Sequence, residues 1–305
     1  MDILTKNIYT EKYRPQTLEE LIFNDKDKIK GFLADPLSIP SFIFYSGPGT
    51  GKTTLAKIIS KNHNTLTLNA SLERGIDTIR EQINLFSQSL STIDGVKRCV
   101  FLDEADFLTP AAQASLRNLM EEYAGNVFFI LTANDVSKII PAIRSRCIEI
   151  CFDRLNKTQI LDRLEFICKN ESIIYEIEDL YSLIGVYYPD IRGMILALQN
   201  AKISGCPLKD YTHGFTEVLK VVLTKDVKEL YKYIYGRGLD VLAFNKFLFR
   251  YLYENYERFG YDKVARASRY LADTEKSYNL GVSLNIVALA NFLIIADILT
   301  PTEVL

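Results

Sequence analysis

With 305 residues, 48% of them hydrophobic and 24% charged, the chain has enough apolar material for more than one core, which excludes a disordered or fibrous protein. Its 36 lysines and arginines nearly balance 38 aspartates and glutamates, so the net charge is −2 and no overall basic field marks a nucleic-acid binder; contact with DNA needs a local basic surface or several subunits together. Cys99, Cys147, Cys151, Cys168 and Cys206 show no paired spacing and His63 and His213 stand alone, which excludes a disulfide framework and a structural zinc site.

The first residues, Met1 to Lys6, lack a basic segment followed by an apolar core, and the longest late apolar stretch, Leu284 to Leu299, is interrupted by Asn285, Asn291 and Asp297. The expectation is a soluble, intracellular protein with no membrane partner. Glu11-Lys12-Tyr13-Arg14-Pro15 follows as a polar lead-in whose proline favours an extended Arg14, and Tyr13 reads either as an anchor or as a ring for a purine base. From Thr17 to Leu33 a helical pattern runs through a charged segment, and Asp35-Pro36 and Ile39-Pro40 punctuate the approach to a strand at Phe42-Ile43-Phe44-Tyr45.

That strand feeds Ser46-Gly47-Pro48-Gly49-Thr50-Gly51-Lys52-Thr53, a glycine-rich turn that opens a helix. Backbone N–H groups of such a turn point inward at phosphates, the Lys52 ammonium reaches the β- and γ-phosphates, and the Thr53 hydroxyl ligates Mg²⁺. The pattern predicts a nucleoside triphosphate site, although Ser46 stands where glycine is usual.

Leu66 to Ala70 reads as a second strand, and Ser71 to Gly75 as the loop to a helix whose Ile76, Ile79, Ile83 and Phe86 share a face. Arg74 and Arg80, near that helix start, fit either a DNA phosphate or a solvated face with local acidic partners. Arg98 to Asp103 is an apolar strand ending in Asp103-Glu104-Ala105-Asp106. Asp103 suits Mg²⁺ and Glu104 suits the water that attacks the γ-phosphate, provided a parallel sheet brings this end beside Lys52.

Thr109-Pro110 begins a helix in which Ala112, Leu116 and Leu119 face the core while Gln113 and Arg117, four apart, share a polar face for DNA or a neighbouring subunit. Val127 to Thr132 is a continuously apolar strand, as expected when helices cover both sheet faces, and Asn134 follows it as a hydrogen-bonding partner for the γ-phosphate or the attacking water. Arg146, just before the strand Ile148 to Phe152, lies on the flank of this domain and is a candidate to complete the site of an adjacent subunit, a role that requires an oligomer.

Helical spacing then dominates. Residues 153–204 read as a small helical domain whose Arg192, after Tyr188-Pro189-Asp190-Ile191, starts a helix that closes toward the nucleotide. Gly205-Cys206-Pro207 marks a boundary, after which Phe244, Phe247, Leu248, Tyr251 and Leu252 form an aromatic stripe suited to packing, and a last long helix is expected from Tyr278 to Ile298. The expected division is 1–152 nucleotide-binding, 153–204 lid and 205–305 all-helical assembly domain.

Together these motifs resemble those of the AAA+ ATPases, and within them the small, ATP-hydrolysing subunits of sliding-clamp loaders of the replication factor C type and their phage counterparts. The residues that carry the resemblance are Glu11 to Pro15, Gly47 to Thr53, Arg74 to Asp77, Asp103 to Asp106, Ala112 to Arg117, Thr132 to Asn134, Ser145-Arg146-Cys147 and Pro189 to Arg192. The resemblance implies an α/β P-loop domain with a five-stranded parallel sheet, a helical lid and a helical collar that joins five subunits. It implies ATP and Mg²⁺ bound by Tyr13, Arg14, Gly47, Pro48, Gly49, Thr50, Gly51, Lys52, Thr53 and Asp103. Glu104 is then the catalytic carboxylate, Asn134 and Arg192 the first and second sensors, and Arg146 the arginine acting in trans. Arg74, Arg80 and Gln113 would track primer-template DNA, Arg117 would couple DNA to Glu104, and a sliding clamp and sibling subunits would be the protein partners. The compact length looks more like the phage loaders, which places the protein in a bacterial cytoplasm; otherwise it works in cytoplasm or nucleus with the replisome.

Three other readings share parts of this pattern. Asp103-Glu104-Ala105-Asp106 also matches a helicase motif, but residues 205–305 offer no second RecA-like domain. A branch-migration motor requires a winged helix where this chain has aromatic helices. A loader subunit that does not hydrolyse ATP is opposed by the coexistence of Lys52, Thr53, Asp103, Glu104, Asn134 and Arg192.

Overall fold

The computed structural model describes residues 8–72, 76–89, 96–205, 208–236, 239–280 and 282–299. These fall into two compact units, one of residues 1–163 and 189–196, the other of 164–188 and 197–305. The stretch 153–204, expected as a separate lid, contributes residues to both units.

The first unit opens with α1 (Tyr9–Lys12) and α2 (Lys26–Leu33). The helix expected from Thr17 is shorter than its pattern, because Leu21, Ile22 and Phe23 are buried at consecutive positions, which the single stripe of a surface helix cannot provide. Five strands follow, β1 (Ser41–Tyr45), β2 (Thr65–Asn69), β3 (Arg98–Asp103), β4 (Val127–Ala133) and β5 (Cys147–Cys151), in one sheet of order β2-β3-β4-β1-β5. All pairs are parallel, so each connection is a crossover. The crossovers are α3 (Lys52–Ser60), α4 (Ile76–Gln88), α5 (Pro110–Glu122) and the short α6 (Pro141–Arg144).

Every residue of β4 is buried, as its unbroken apolar run requires at the centre of a doubly covered sheet. Ile79 and Ile83 of α4 and Ala112, Leu116 and Leu119 of α5 pack with Val100, Leu102, Phe129 and Leu131 of the strands. Phe42 and Phe44 at alternate positions of β1 form an aromatic row with Phe152, just after β5, and with Phe23 and Phe32, Phe23 stacking on Phe152 at 4.6 Å. Register fixes the carboxyl edge: Tyr45 pairs with Ala133, and Leu102 with Leu131. The loops after β1, β3 and β4 therefore emerge side by side, where open parallel sheets bind ligands.

Helices α7 (Lys157–Glu171) and α9 (Ile191–Ser204) begin in the first unit and continue in the second, which also holds α8 (Ile177–Tyr187) and α10 (Leu208–Leu223). Its remaining elements are α11 (Val227–Tyr231), a π-helical turn at Lys232–Gly236, α12 (Val241–Glu254), α13 (Tyr256–Phe259), α14 (Tyr261–Asn279) and α15 (Leu284–Leu299). The aromatic stripe is core: Phe244, Leu248 and Leu252 are fully buried, and Phe244 meets Phe292 edge-on at 5.1 Å. Tyr278 belongs to α14 and not to the last helix, which starts at Leu284. Two buried amides set the register of the bundle, Asn245 donating to the Leu271 carbonyl and Asn291 to the Tyr270 carbonyl, each at 3.0 Å. No helix among the described residues is long and apolar enough to cross a membrane.

Candidate functional site

The turn after β1 is shaped by two glycines in the left-handed region, Gly49 at φ 75° and Gly51 at φ 106°. A Cβ at Gly49 would lie 1.6 Å from Asp190 Oδ1, so this position admits only glycine while Asp190 keeps its place. Ser46, the departure from the usual glycine, is accommodated: its buried hydroxyl lies 2.6 Å from Thr50 Oγ1 and braces the loop from within.

Lys52 is 7% exposed, and its ammonium donates to the carbonyls of Ser46 (2.9 Å) and Gly47 (2.7 Å) and to Asn134 Oδ1 (3.1 Å). Burial pushes its pKa down to about 8; Asp106 and Asp103 oppose that shift, and Arg192 adds to it. Asp106 is itself buried, with Oδ2 accepting from the Asp135 N–H at 3.4 Å and Oδ1 without a hydrogen-bond partner.

Asp103 Oδ1 accepts from Thr53 Oγ1 at 2.9 Å and from Thr132 Oγ1 at 2.6 Å. Thr132 Oγ1 in turn accepts from the Glu104 N–H at 2.9 Å, which holds Glu104 in a left-handed conformation, φ 58° and ψ 42°. Thr132, which the sequence marked only as the start of the motif Thr132 to Asn134 with no site role of its own, is thus a site residue.

Thr53, Asp103, Glu104 and Asn134 line one cleft of about 1040 Å³, open solvent included, together with Tyr13, Arg14, the turn from Pro48 to Lys52 and Arg192. The Arg192 N–H donates to the Gly49 carbonyl at 3.2 Å, joining the start of α9 to the phosphate turn. Asp190 Oδ1 accepts from the Gly193 N–H at 2.9 Å and caps the same helix start. Arg163, also unforeseen, lines the cleft and donates to the Tyr13 carbonyl at 2.7 Å, fixing the end of α1 beside it; burial lowers its pKa. The glycine cradle, an ammonium now held by loop carbonyls, and a paired hydroxyl and carboxylate at Thr53 and Asp103 together suit a nucleoside triphosphate and one divalent cation. Among the described residues no group of three or more His, Cys, Asp or Glu makes a protein-only metal site.

Not every expected residue joins this cleft. Arg146 is absent from its lining; its guanidinium contacts the carboxylate of Glu121 and the Ala142 carbonyl on the outer surface. Arg80 and Arg117 line a separate surface cleft between α4 and α5 with Asn84, Ser115 and Asn118. Arg117 bonds Asn118 Oδ1 at 2.6 Å and pairs with Glu121 at 3.8 Å, with no hydrogen bond to Glu104. Arg74 lies outside the described residues. Gln113 departs most from expectation. It is 2% exposed, donating to the carbonyls of Leu108 (3.3 Å) and Lys138 (2.9 Å) and accepting from the Ile140 N–H (2.8 Å). Those loop groups need a buried partner, and Gln113 supplies it where an exposed DNA contact was expected.

The family described as "ATPase family associated with various cellular activities (AAA)" matches residues 42–154, which hold all of the sheet but Ser41. Over a longer span, the replication factor C small subunit 2 of Pyrobaculum arsenaticum is 37% identical, covering 68% of this chain and 67% of that one. The small subunit of Aeropyrum pernix is 36% identical over 75% of this chain and 72% of its own length. The chain belongs to the replication factor C small-subunit family. That membership makes it an AAA ATPase. Matches to this family span 60 to 72% of the relatives' own lengths. A solved structure of Thermotoga maritima RuvB T158V superposes with a TM-score of 0.57, covering 95% of this chain and 93% of that chain at 18% identity, a likeness of fold alone.

Proposed function

We propose that the chain is the ATP-hydrolysing subunit of a sliding-clamp loader, which opens a ring clamp and places it on primer-template DNA as one member of a ring of sibling subunits. The observation that carries this reading is the division of labour around the cleft. Lys52, Thr53, Asp103, Glu104, Asn134 and Arg192 belong to it, while Arg146 lies on the outer surface of the same unit. The cleft's own arginines, Arg14, Arg163 and Arg192, come from the lead-in, α7 and the start of α9, and Arg146, outside the cleft, is read as serving the site of a neighbour.

In this reading the phosphates take the place of the loop carbonyls at Lys52, and Tyr13, Arg14 and Arg163 face the base and ribose. Mg²⁺, held by Thr53 and Asp103, would neutralise charge between the β- and γ-phosphates. Glu104 accepts a proton from water as that water's oxygen bonds to the γ-phosphorus and the bond to ADP breaks. Asn134 orients the water, Arg192 reports the γ-phosphate to α9, and Arg146 of the next subunit stabilises the transferring phosphoryl group. DNA tracks over the cleft of Arg80 and Arg117, with Arg74 as a further contact. Residues 153–204 act as lid and 205–305 as collar.

Glu104→Gln tests the chemistry. The variant is expected to bind ATP and assemble as the unaltered chain does, with turnover lost in the presence of clamp and primer-template DNA. Turnover at the unaltered rate would refute the assignment.

A further inference from the structure

Away from the nucleotide cleft, one charged cluster joins elements distant in sequence. Glu121 Oε1, at the end of α5, accepts from Arg146 Nη2, while Arg146 Nη1 donates to the Ala142 carbonyl at 2.6 Å and reaches Ser145 Oγ at 3.4 Å. Neither arrangement uses Nε. Arg117 sits farther from the same carboxylate oxygen, at 3.8 Å, and gives its hydrogen bonds to Asn118, so Arg146 is the principal partner of Glu121.

The backbone here does not need this ion pair. Ser145 N–H already donates to the Pro141 carbonyl at 2.9 Å and Arg146 N–H to the Ile143 carbonyl at 3.0 Å, closing the end of α6. The pair is also half exposed, 37% for Arg146 and 48% for Glu121, where ion pairs add little to stability. What Glu121 does restrict is the guanidinium. A long arginine side chain samples many rotamers, and one that must reach a phosphate on another molecule has to be ordered each time.

We propose that Glu121 is the positioning residue of Arg146. It holds the guanidinium outward in one orientation, with N–H groups left over for the phosphoryl group of the adjoining subunit. The proposal rests on the reading of Arg146 as acting in trans. Because Glu121 is not among the residues that line the cleft of its own subunit, its loss acts on turnover and not on ATP binding.

The test uses the full chain in the assembled loader with clamp and primer-template DNA, comparing Glu121→Ala, Glu121→Gln, Arg146→Ala and the double variant Glu121→Ala/Arg146→Ala. Alanine is well tolerated in an exposed helix, so folding is preserved. Glu121→Ala is expected to lower kcat roughly five- to tenfold with KM for ATP unchanged. Glu121→Gln, which keeps an acceptor oxygen, restores part of the rate, and Glu121→Ala adds no further loss to Arg146→Ala. The proposal is overturned if Glu121→Ala leaves kcat within twofold, or lowers it by the same factor in the Arg146→Ala background. The separate result that Arg146→Ala leaves the assembled ATPase intact would overturn the trans reading itself.

Discussion

Replacing Thr132 by valine isolates the hydroxyl that ties the two acidic residues of the site together. Valine keeps the shape and the β-branch, so the strand and its pairing of Thr132 with Phe44 are preserved. What is lost is the bond to Asp103 Oδ1 at 2.6 Å and the acceptor for the Glu104 N–H at 2.9 Å. An unpaired N–H at a buried contact and a lost bond to a carboxylate cost about 2 to 3 kcal/mol together, or roughly 4 to 10 °C in the unfolding of this unit. The bond also holds Glu104 at φ 58°, a conformation that a non-glycine residue leaves when released. Displacement of a catalytic carboxylate by an ångström is worth about 10²-fold in rate. Thermal unfolding and steady-state ATPase of Thr132→Val, beside Thr132→Ser as the variant that keeps the hydroxyl, measure both effects. A Thr132→Val chain with unaltered melting and turnover would show that Thr132 does not organise Asp103 and Glu104.

Two further outcomes follow from the phosphate turn. Gly49→Ala meets both a left-handed backbone and Asp190 at 1.6 Å, so it is expected to destabilise the nucleotide-free protein by about 2 to 4 kcal/mol and to weaken ATP binding; Gly47→Ala, with nothing within 4 Å of its Cβ, leaves nucleotide-free stability within about 0.5 kcal/mol in urea titrations. Lys52 has a pKa of about 8 in the fold against an ordinary 10.5, so the unfolded chain holds more protons between those values. Through this group stability rises with pH across that window, a penalty of about 3 kcal/mol being fully present below pH 8. ATP favours the protonated ammonium, so its affinity falls above pH 8 by up to about tenfold per pH unit, with proton uptake measurable by calorimetry in buffers of different ionisation enthalpy.

Much of this site was legible because its chemistry sits where regular elements end. Lys52 and Thr53 open a helix after a glycine turn, Asp103 and Glu104 close β3, and Asn134 follows β4; a parallel sheet brings such ends to one edge, and the strand order β3-β4-β1 does so. Residues whose role depends on contacts far along the chain were not legible. Thr132 opens a motif shared with the family, yet its tie to Asp103 shows only once the strands are paired. Gln113 shares a helical face with Arg117 by spacing, yet the loop from Lys138 to Ile140 folds over it and takes up its amide. Arg163 meets the Tyr13 carbonyl across 150 residues, and Glu121 meets Arg146 across 25. Tyr278 and Leu284 read as one helix because apolar spacing continues through the stretch that separates α14 from α15.

The central claim, that each site is completed by its neighbour, is tested most directly by mixing two inactive variants in one assembled loader. Arg146→Ala keeps a complete set of its own cleft residues but donates no arginine; Glu104→Gln donates Arg146 but cannot activate water. Each alone is expected to be nearly inactive with clamp and primer-template DNA, and a mixture to recover part of the ATPase, because some Glu104→Gln subunits then sit beside cleft-competent partners. Full activity of Arg146→Ala alone, or no recovery in mixed assemblies whose composition is confirmed by native mass measurement, would contradict the account.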